Sequence, residues 1–539
     1  MRRIARSIGV SVGCALLLAG CDDLLDTQPL GSLTEQTFYQ TEKDFDAATL
    51  APYSTLLNLT YDQFGRGWWN GFLQPDDDVQ YRDPNGENDV FNWSPVDDDF
   101  AWVWENAYKG IMRANVVLDQ LPKAKGFTDE NNKPRYEGEA KFMRAYWYFL
   151  LARNWGNVPI ITEVPRSVGA TYVGNSQPGE VWDLIEADLE DAANKLPADY
   201  GSEKGRATKY SALALLGKVE LYRAQWFNQP AKYQEAIQHF QQVLAGGFRL
   251  MDDYGDNFRE ATENNAESLF EIQATKGDNI NAWGTTDTGG AAGHAWPIYV
   301  SPSCFYGTGG GCAPKAWGHG YGQIDITPGL QAEFEPGDPR KFYTMYSTGE
   351  DYGGVPYQIN PITHQPELWS RTGSTPAKYN RPFDPNRYPE NLSTNNLRII
   401  RYADVLLMLA EAELLGNGNV ARAAELVNQV RARARKTYEI LHGTPAPADL
   451  LPDVPSTGAP LDWFRTHLMH ERRVELALEG HRYDDLVRWH RAGLINIKTD
   501  IDFGTYPEAN ANWQEKHLLK PIPQGELDLN PNLQQNEGY

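Results

Sequence analysis

What most limits the fold of this chain is a helical period that returns along much of its length. EGEAKFMRAYWYFLLARNW (137–155), GEVWDLIEADLEDAANKLP (179–197), KYSALALLGKVELYRAQW (209–226), AKYQEAIQHFQQVLAGG (231–247), LRIIRYADVLLMLAEAELLGNG (397–418), NVARAAELVNQVRARAR (419–435) and LDWFRTHLMHERRVELALEG (461–480) each set apolar residues three and four apart. Several of them close in Gly or Leu-Pro, the usual stop signals of a helix. The stretches come in pairs. Ala236, Phe240 and Val243 in one pair, and Ala423, Val427 and Val430 in another, step by four and then by three, alternating small and large so that two helices can nest. These residues are assigned to core packing, and the fold class is mainly α.

The nesting resembles tetratricopeptide repeats, although the periods are irregular and broken by insertions. The expectation is a tetratricopeptide-like scaffold of helical pairs over about 35–60, 100–250 and 397–490, carrying long irregular loop insertions. The insertions fall at about 61–100 and 275–395, where the chain is rich in Gly, Pro, Tyr and Trp and has little helical period. Long ordered loops without regular structure usually carry function.

The compartment is written at the start. In MRRIARSIGVSVGCALLLAGCDDLLD, Arg2, Arg3 and Arg6 precede an apolar run from Ile8 to Leu18 that is too short to span a bilayer. Leu18, Ala19 and Gly20 then lead directly into Cys21, the pattern cut by bacterial signal peptidases when the cysteine is lipidated. Residues 1–20 are read as a lipoprotein signal peptide, Cys21 as the acylated new N-terminus (palmitate among its chains), and 21–539 as a single domain. The alternative is an ordinary signal peptide with a chance cysteine. No later stretch is apolar enough to cross a membrane, so the expected body is soluble and held by lipid; several acyl chains anchor far more firmly than one.

Export sorts the cysteines. Cys14 leaves with the leader and Cys21 carries lipid, so Cys304 and Cys312 are the candidate disulfide pair, with two free thiols as the alternative. The chain has 49 basic and 72 acidic residues, net −23, and loss of the leader's three arginines makes it −26. That charge excludes nucleic acid as a partner and disfavours anionic polymers.

GEAKFMRAYWYFLLARNWGNVPII, RYADVLLMLAEAELL, AAELVNQVRARAR, ERRVELALEGHRYDDLVRW and the terminal KPIPQGELDLNPNLQQNEGY, with CDDLLDTQPLG and FDAATLAPYSTL near the start, resemble the motifs of the SusD/RagB family, in order from Cys21 to Tyr539. The resemblance implies a SusD-like fold in a lipoprotein on the outer face of the outer membrane of Bacteroidota-type bacteria. It implies capture of an oligosaccharide or polysaccharide and its delivery to a SusC-like TonB-dependent transporter, without catalysis. It also implies that Glu471 and Glu475, with Arg472 and Arg473, form structural ion pairs in a helix hairpin. It does not transfer a ligand, because 275–395 carries no family motif.

A sugar ring shows an apolar face and a rim of hydroxyls, so its site needs flat aromatic platforms beside fixed polar groups. The first insertion supplies Trp68, Trp69 and Trp93 with Asp76, Asp77 and Asp78; the second supplies Trp296, Tyr299, Tyr306, Trp317, Tyr321 and Arg371. These are the expected glycan-binding residues, with core packing as the competing reading for each aromatic. In CFYGTGGGCAPKAWGHGYG (304–322), a Cys304–Cys312 link would pre-organise a glycine-rich loop bearing Tyr306 and Trp317. The aspartate run has three readings: a solvated turn, a hydroxyl-binding group, or a metal or catalytic set. DPNGEND (83–89) has calcium-loop residue types, but Gly86 is fourth and not sixth, so it is no EF-hand loop. No HExxH, GxSxG or GxxxxGK[ST] occurs, and no metal or cofactor is expected. Two alternatives stay open: a peptide-import component of the same family, and an exported glycoside hydrolase.

Overall fold

The structure, a computed structural model, describes residues 38–61, 76–81, 89–274, 324–347, 372–379, 393–504 and 507–539. Its long helices are α1 (Glu42–Tyr61), α2 (Asp98–Gln120), α3 (Lys133–Trp155), α4 (Glu180–Lys195), α5 (Lys209–Trp226) and α6 (Lys232–Leu244). The short α7 (Pro328–Glu333) and α8 (Pro339–Thr344) follow, then α9 (Tyr402–Asn417), α10 (Val420–His442), α11 (Met469–Leu476) and α12 (Arg482–Arg491). The fold is mainly α.

Neighbours in sequence are neighbours in space. α1 packs on α2, α2 on α3, α3 on α4, α4 on α5 and α5 on α6; α6 then packs on α9, and α9 on α10. α3 and α5 bury residues all round because further elements cover them, α1 on α3, and α12 with the strands Ser268–Ile272 and Leu397–Arg401 on α5, whereas α6, between α5 and α9, keeps one polar face. The stripes predicted from sequence are core: Ala236, Phe240, Val243, Ala423, Val427 and Val430 are fully buried. Glycine sets the closest approaches. A Cβ on Gly217 would lie 2.6 Å from the Phe240 ring, and one on Gly110 would lie 2.1 Å from the Trp147 indole. Asp97 caps α2, a Thr208–Ser211 capping box opens α5, and Gly418, at φ 64°, closes α9.

The described strands are short and pair antiparallel: β1 (Val79–Tyr81) with β3 (Ile324–Ile326), β2 (Ser268–Ile272) with β6 (Leu397–Arg401), and β4 (Met345–Ser347) with β5 (Ser374–Pro376). LRIIR, read from sequence as the first turn of a helix, is β6. Its backbone pairs with β2, and the helix begins only at Tyr402, whose N–H bonds to Glu267 O.

Candidate functional site

The strands are the roots of the loop-rich stretches. In the β1–β3 ladder Tyr81 faces Ile324, so the chain entering 82–88 lies beside the chain leaving 275–323. In β4–β5, Ser347 faces Ser374, which brings the two ends of 348–371 together, and β3 packs on β5, joining the two ladders. At the β2–β6 ladder the Ala274 N–H donates to Asn396 Oδ1 (2.8 Å), holding the start of 275–323 next to the chain that leaves 380–392. Asp89, 7% exposed, accepts a short hydrogen bond from the Tyr81 N–H and so closes the root of 82–88. Burial pushes its carboxyl up to about 7.

Beneath these roots lies a buried ionic layer. Arg401 of β6 donates to Glu475 (2.6 Å), Glu267 (2.9 Å) and Glu479 (2.6 Å). Arg433 of α10 joins Glu267 and Glu475, and Arg340 of α8 joins Asp338, Glu471 and Glu475. Burial would raise the Glu475 carboxyl, but Arg433, Arg401 and Arg340 around it hold it well below the carboxylate range. Lys378, just past β5, donates to Glu479 (2.8 Å); burial brings its ammonium down to about 8. The family-like motif ERRVELALEG therefore feeds separate clusters. Its Glu471 and Glu475 meet Arg340, while Arg472 meets Asp404 and Asp485. All are ion pairs, and their partners come from elements far away in the chain and not only from a local hairpin.

Arg473 turns the other way, toward the predicted aspartates. Asp77 takes a two-pronged hydrogen bond from Arg482 (2.7 and 2.8 Å) and a contact from Arg473 (3.0 Å). Asp78 accepts from Arg473 Nε (2.6 Å), and Glu333 from Arg473 Nη1 (3.2 Å). Asp76 Oδ1 accepts from the N–H groups of Asp78 (2.9 Å) and Val79 (3.0 Å), turning the chain into β1. All three aspartates are buried, so the run is no solvated turn. Burial raises the Asp77 carboxyl, but Arg473 and Arg482 outweigh it and set it at about 2. For Asp76, burial and the neighbouring Asp78 and Asp77 act together and push it well up.

Of the three, Asp77 lines a polar cavity of about 530 Å³, together with Glu333, His470, Arg473, Arg482 and Asp502. His470 is clamped between Glu333 (2.7 Å) and Glu335 (3.2 Å). Burial opposes its charge, but the two carboxylates raise it to about 9, so it is a cation at neutral pH. The cavity presents carboxylates that can accept hydrogen bonds from hydroxyls and guanidinium groups that can donate to hydroxyl oxygens. Sequence reasoning missed Glu333, His470 and Arg482 as wall residues. A short helix such as LQAEF gives no signal, and HRYDD was read only as part of a family motif.

Trp93 is a correction to the expected set. Its ring packs on Phe91, Phe100, Tyr483 and His517, and only 6% of the residue is exposed, so it serves as core and not as a sugar platform. Trp68, Trp69, Trp296, Tyr299, Tyr306, Trp317, Tyr321 and Arg371 lie outside the described residues, as do Cys21, Cys304 and Cys312. Among the described residues no group of three or more His, Cys, Asp or Glu is arranged to hold a metal ion, and no helix is long and apolar enough to cross a membrane.

Compared with known proteins, residues 261–539 match the SusD family and residues 78–221 match a family described as starch-binding, associating with outer membrane. A SusD-like protein of Formosa agariphila is 26% identical over 552 residues, covering 96% of each chain. The starch-binding protein SusD of Bacteroides thetaiotaomicron is 22% identical over 484 residues, covering 83% of this chain and 80% of that protein. A solved structure described as a laminarin-binding SusD-like protein superposes with a TM-score of 0.71 at 28% identity, over 93% of this chain and all of that one.

Proposed function

The chain belongs to the SusD family, and on that premise we propose that it is a cell-surface glycan-binding protein. It captures an oligosaccharide or polysaccharide and delivers it to a SusC-like TonB-dependent transporter in the outer membrane, where it is held by lipid on Cys21. It performs no catalysis. The observation that carries the reading is the gathering of loop roots on a rigid ionic base. The β1–β3 and β4–β5 ladders pack together; the stretch 275–323, which leads into β3, contains five of the seven aromatic residues proposed to meet sugar, and 348–371, between β4 and β5, contains Arg371. Relatives named for binding starch and laminarin support a carbohydrate as ligand.

The aromatics Trp68, Trp69, Trp296, Tyr299, Tyr306, Trp317 and Tyr321 are proposed as the stacking surfaces, with Arg371 and Asp77 beside them for hydroxyls. A Cys304–Cys312 disulfide is proposed to stiffen the loop that bears Tyr306 and Trp317. Affinity electrophoresis against a panel of polysaccharides tests the ligand class: retention by one of them supports it, and free migration through all of them contradicts it. Two further measurements test the partnership. Cys21→Ala is expected to release the protein from the membrane fraction, and mild detergent extraction of the native protein is expected to bring down a large β-barrel protein. A Cys21→Ala chain that stays anchored and processed, or a native chain extracted without a barrel, contradicts the corresponding part.

A further inference from the structure

A second cleft, of about 250 Å³, lies between the turn 198–206, the chain just after α6 at 246–248 and the segment 264–271. β2 runs along this cleft: Ser268 to Glu271 line it, and Ile272, where the chain heads toward 275–323, follows directly.

The walls combine rings and hydrogen-bonding groups. Tyr210 and Phe248 are both half-buried and meet edge to face at 5.4 Å and 77°, and Tyr200, also half-buried, lines the same space. Gly246 permits the arrangement, since a Cβ there would stand 2.6 Å from the Tyr210 ring, and beside it a Cβ on Gly247 would meet nothing within 4 Å, so the approach is open. The polar wall is pre-set. The Asn264 and Gln273 side-chain amides bond to each other (2.9 and 3.1 Å), and the Asn264 N–H donates to the buried Glu271 carboxylate (3.1 Å). Asn264 itself has φ 51°, a conformation Asn adopts more readily than most residues.

The charges choose among sugars. Asp199 and Glu203 face the cleft beside Lys204 and Arg206; Arg206 is already committed to Glu139 (2.9 Å) and Glu203 (3.3 Å), and the lining Glu271 is paired with Arg398 (3.3 Å). A uronate or sulfated sugar would add negative charge to a wall with no spare guanidinium, whereas a neutral pyranose offers a C–H face to the rings and hydroxyls to the carboxylates and amides. We propose that this cleft, which shares no lining residue with the cavity at Asp77, is a second carbohydrate subsite, for a neutral hexose oligosaccharide. Its ligand class rests on the glycan reading above; its position does not. Two contacts on one polymer would raise avidity by making the second binding intramolecular.

The test is calorimetry of the purified chain with maltohexaose and with laminarihexaose, repeated on three variants whose thermal unfolding is checked first. Phe248→Ala removes a ring, the double change Glu203→Ala with Lys204→Ala alters only exposed groups, and Trp296→Ala addresses the loops. The expected result for at least one glucan is two binding equivalents. Phe248→Ala should weaken one of them about tenfold, the exposed double variant should weaken the same one by a smaller factor, and Trp296→Ala should affect only the other. A single equivalent that ignores both cleft variants overturns the subsite and leaves the loop reading intact. Binding lost in the cleft variants but untouched by Trp296→Ala keeps the subsite and counts against capture by the loops. No binding of either glucan overturns the subsite as proposed.

Discussion

Arg473 holds carboxylates from two distant parts of the chain, Asp77 and Asp78 before β1 and Glu333 in α7. Removing its guanidinium leaves buried acids facing one another, and breaking one partner of a buried pair costs about 3–5 kcal/mol. Arg473→Ala is therefore expected to lower unfolding stability by about that amount in denaturant titration, with Arg473→Lys restoring part of it; a loss below about 1 kcal/mol would contradict the assignment. The same clusters set the pH range. Asp77 and Asp485, both at about 2 because neighbouring arginines outweigh burial, lie below their unfolded value of about 3.9. Their contribution is full above about pH 4 and is lost as pH falls toward 2. His470, raised to about 9 by Glu333 and Glu335 against the effect of burial, contributes fully below about pH 6.5, and that contribution is lost as pH rises through 9. Asp89, pushed up to about 7 by burial, favours the acidic side as well, since its contribution fades from about pH 4 to 7. Thermal unfolding across pH is expected to peak between about pH 4 and 6.5; a flat profile from pH 2 to 9 would refute these pairings. That Arg473 is an ion-pairing residue was legible through the family motif; its partners Asp77, Asp78 and Glu333 were not. An Asp run in a loop looks like a solvated turn because its arginines stand nearly four hundred positions later, and no local pattern records an ion pair of that reach.

The helices were legible because each carries its packing instruction locally. Apolar residues at three and four mark the buried face, and Gly418 and Thr208 mark an end and a start. The boundary at LRIIR was not, since Leu, Ile and Ile suit a helix face and a buried strand equally, and what decides is the β2 backbone more than a hundred residues earlier. Helix-to-helix distance is also hidden from pattern reading, yet one glycine reveals it. Alanine at 217 would gain up to about 1 kcal/mol of helix propensity, but its Cβ would stand 2.6 Å from the Phe240 ring on α6. Overpacking of this kind costs about 1–3 kcal/mol, so Gly217→Ala is expected to lower the melting temperature. A raised melting temperature would mean that α5 and α6 pack less closely than the structure shows.

At the scale of the molecule, the division of labour follows from where order is needed. A continuous series of helices supplies burial, a layer of buried ion pairs fixes α8, α10, α11 and β6 to one another, and the strand ladders end where the aromatic-rich stretches begin. The family was readable because its motifs lie in this scaffold, where packing and ion pairing constrain residue type. The ligand was not, because residues 275–323 and 348–371 match no family motif, and among the described residues only Asp77 of the expected sugar contacts lines the polar cavity, while Trp93 is core. The central claim is that this protein binds glycan through the stretches rooted on those ladders. Calorimetric titration of the purified chain with the polysaccharide that retains it in affinity electrophoresis, run beside Trp296→Ala and Trp317→Ala, tests it most directly. The account predicts saturable binding by the parent, weakened about tenfold or more in at least one of the two variants at unchanged melting temperature. Full-strength binding by both variants, or no binding by the parent to any polysaccharide of the panel, would contradict it.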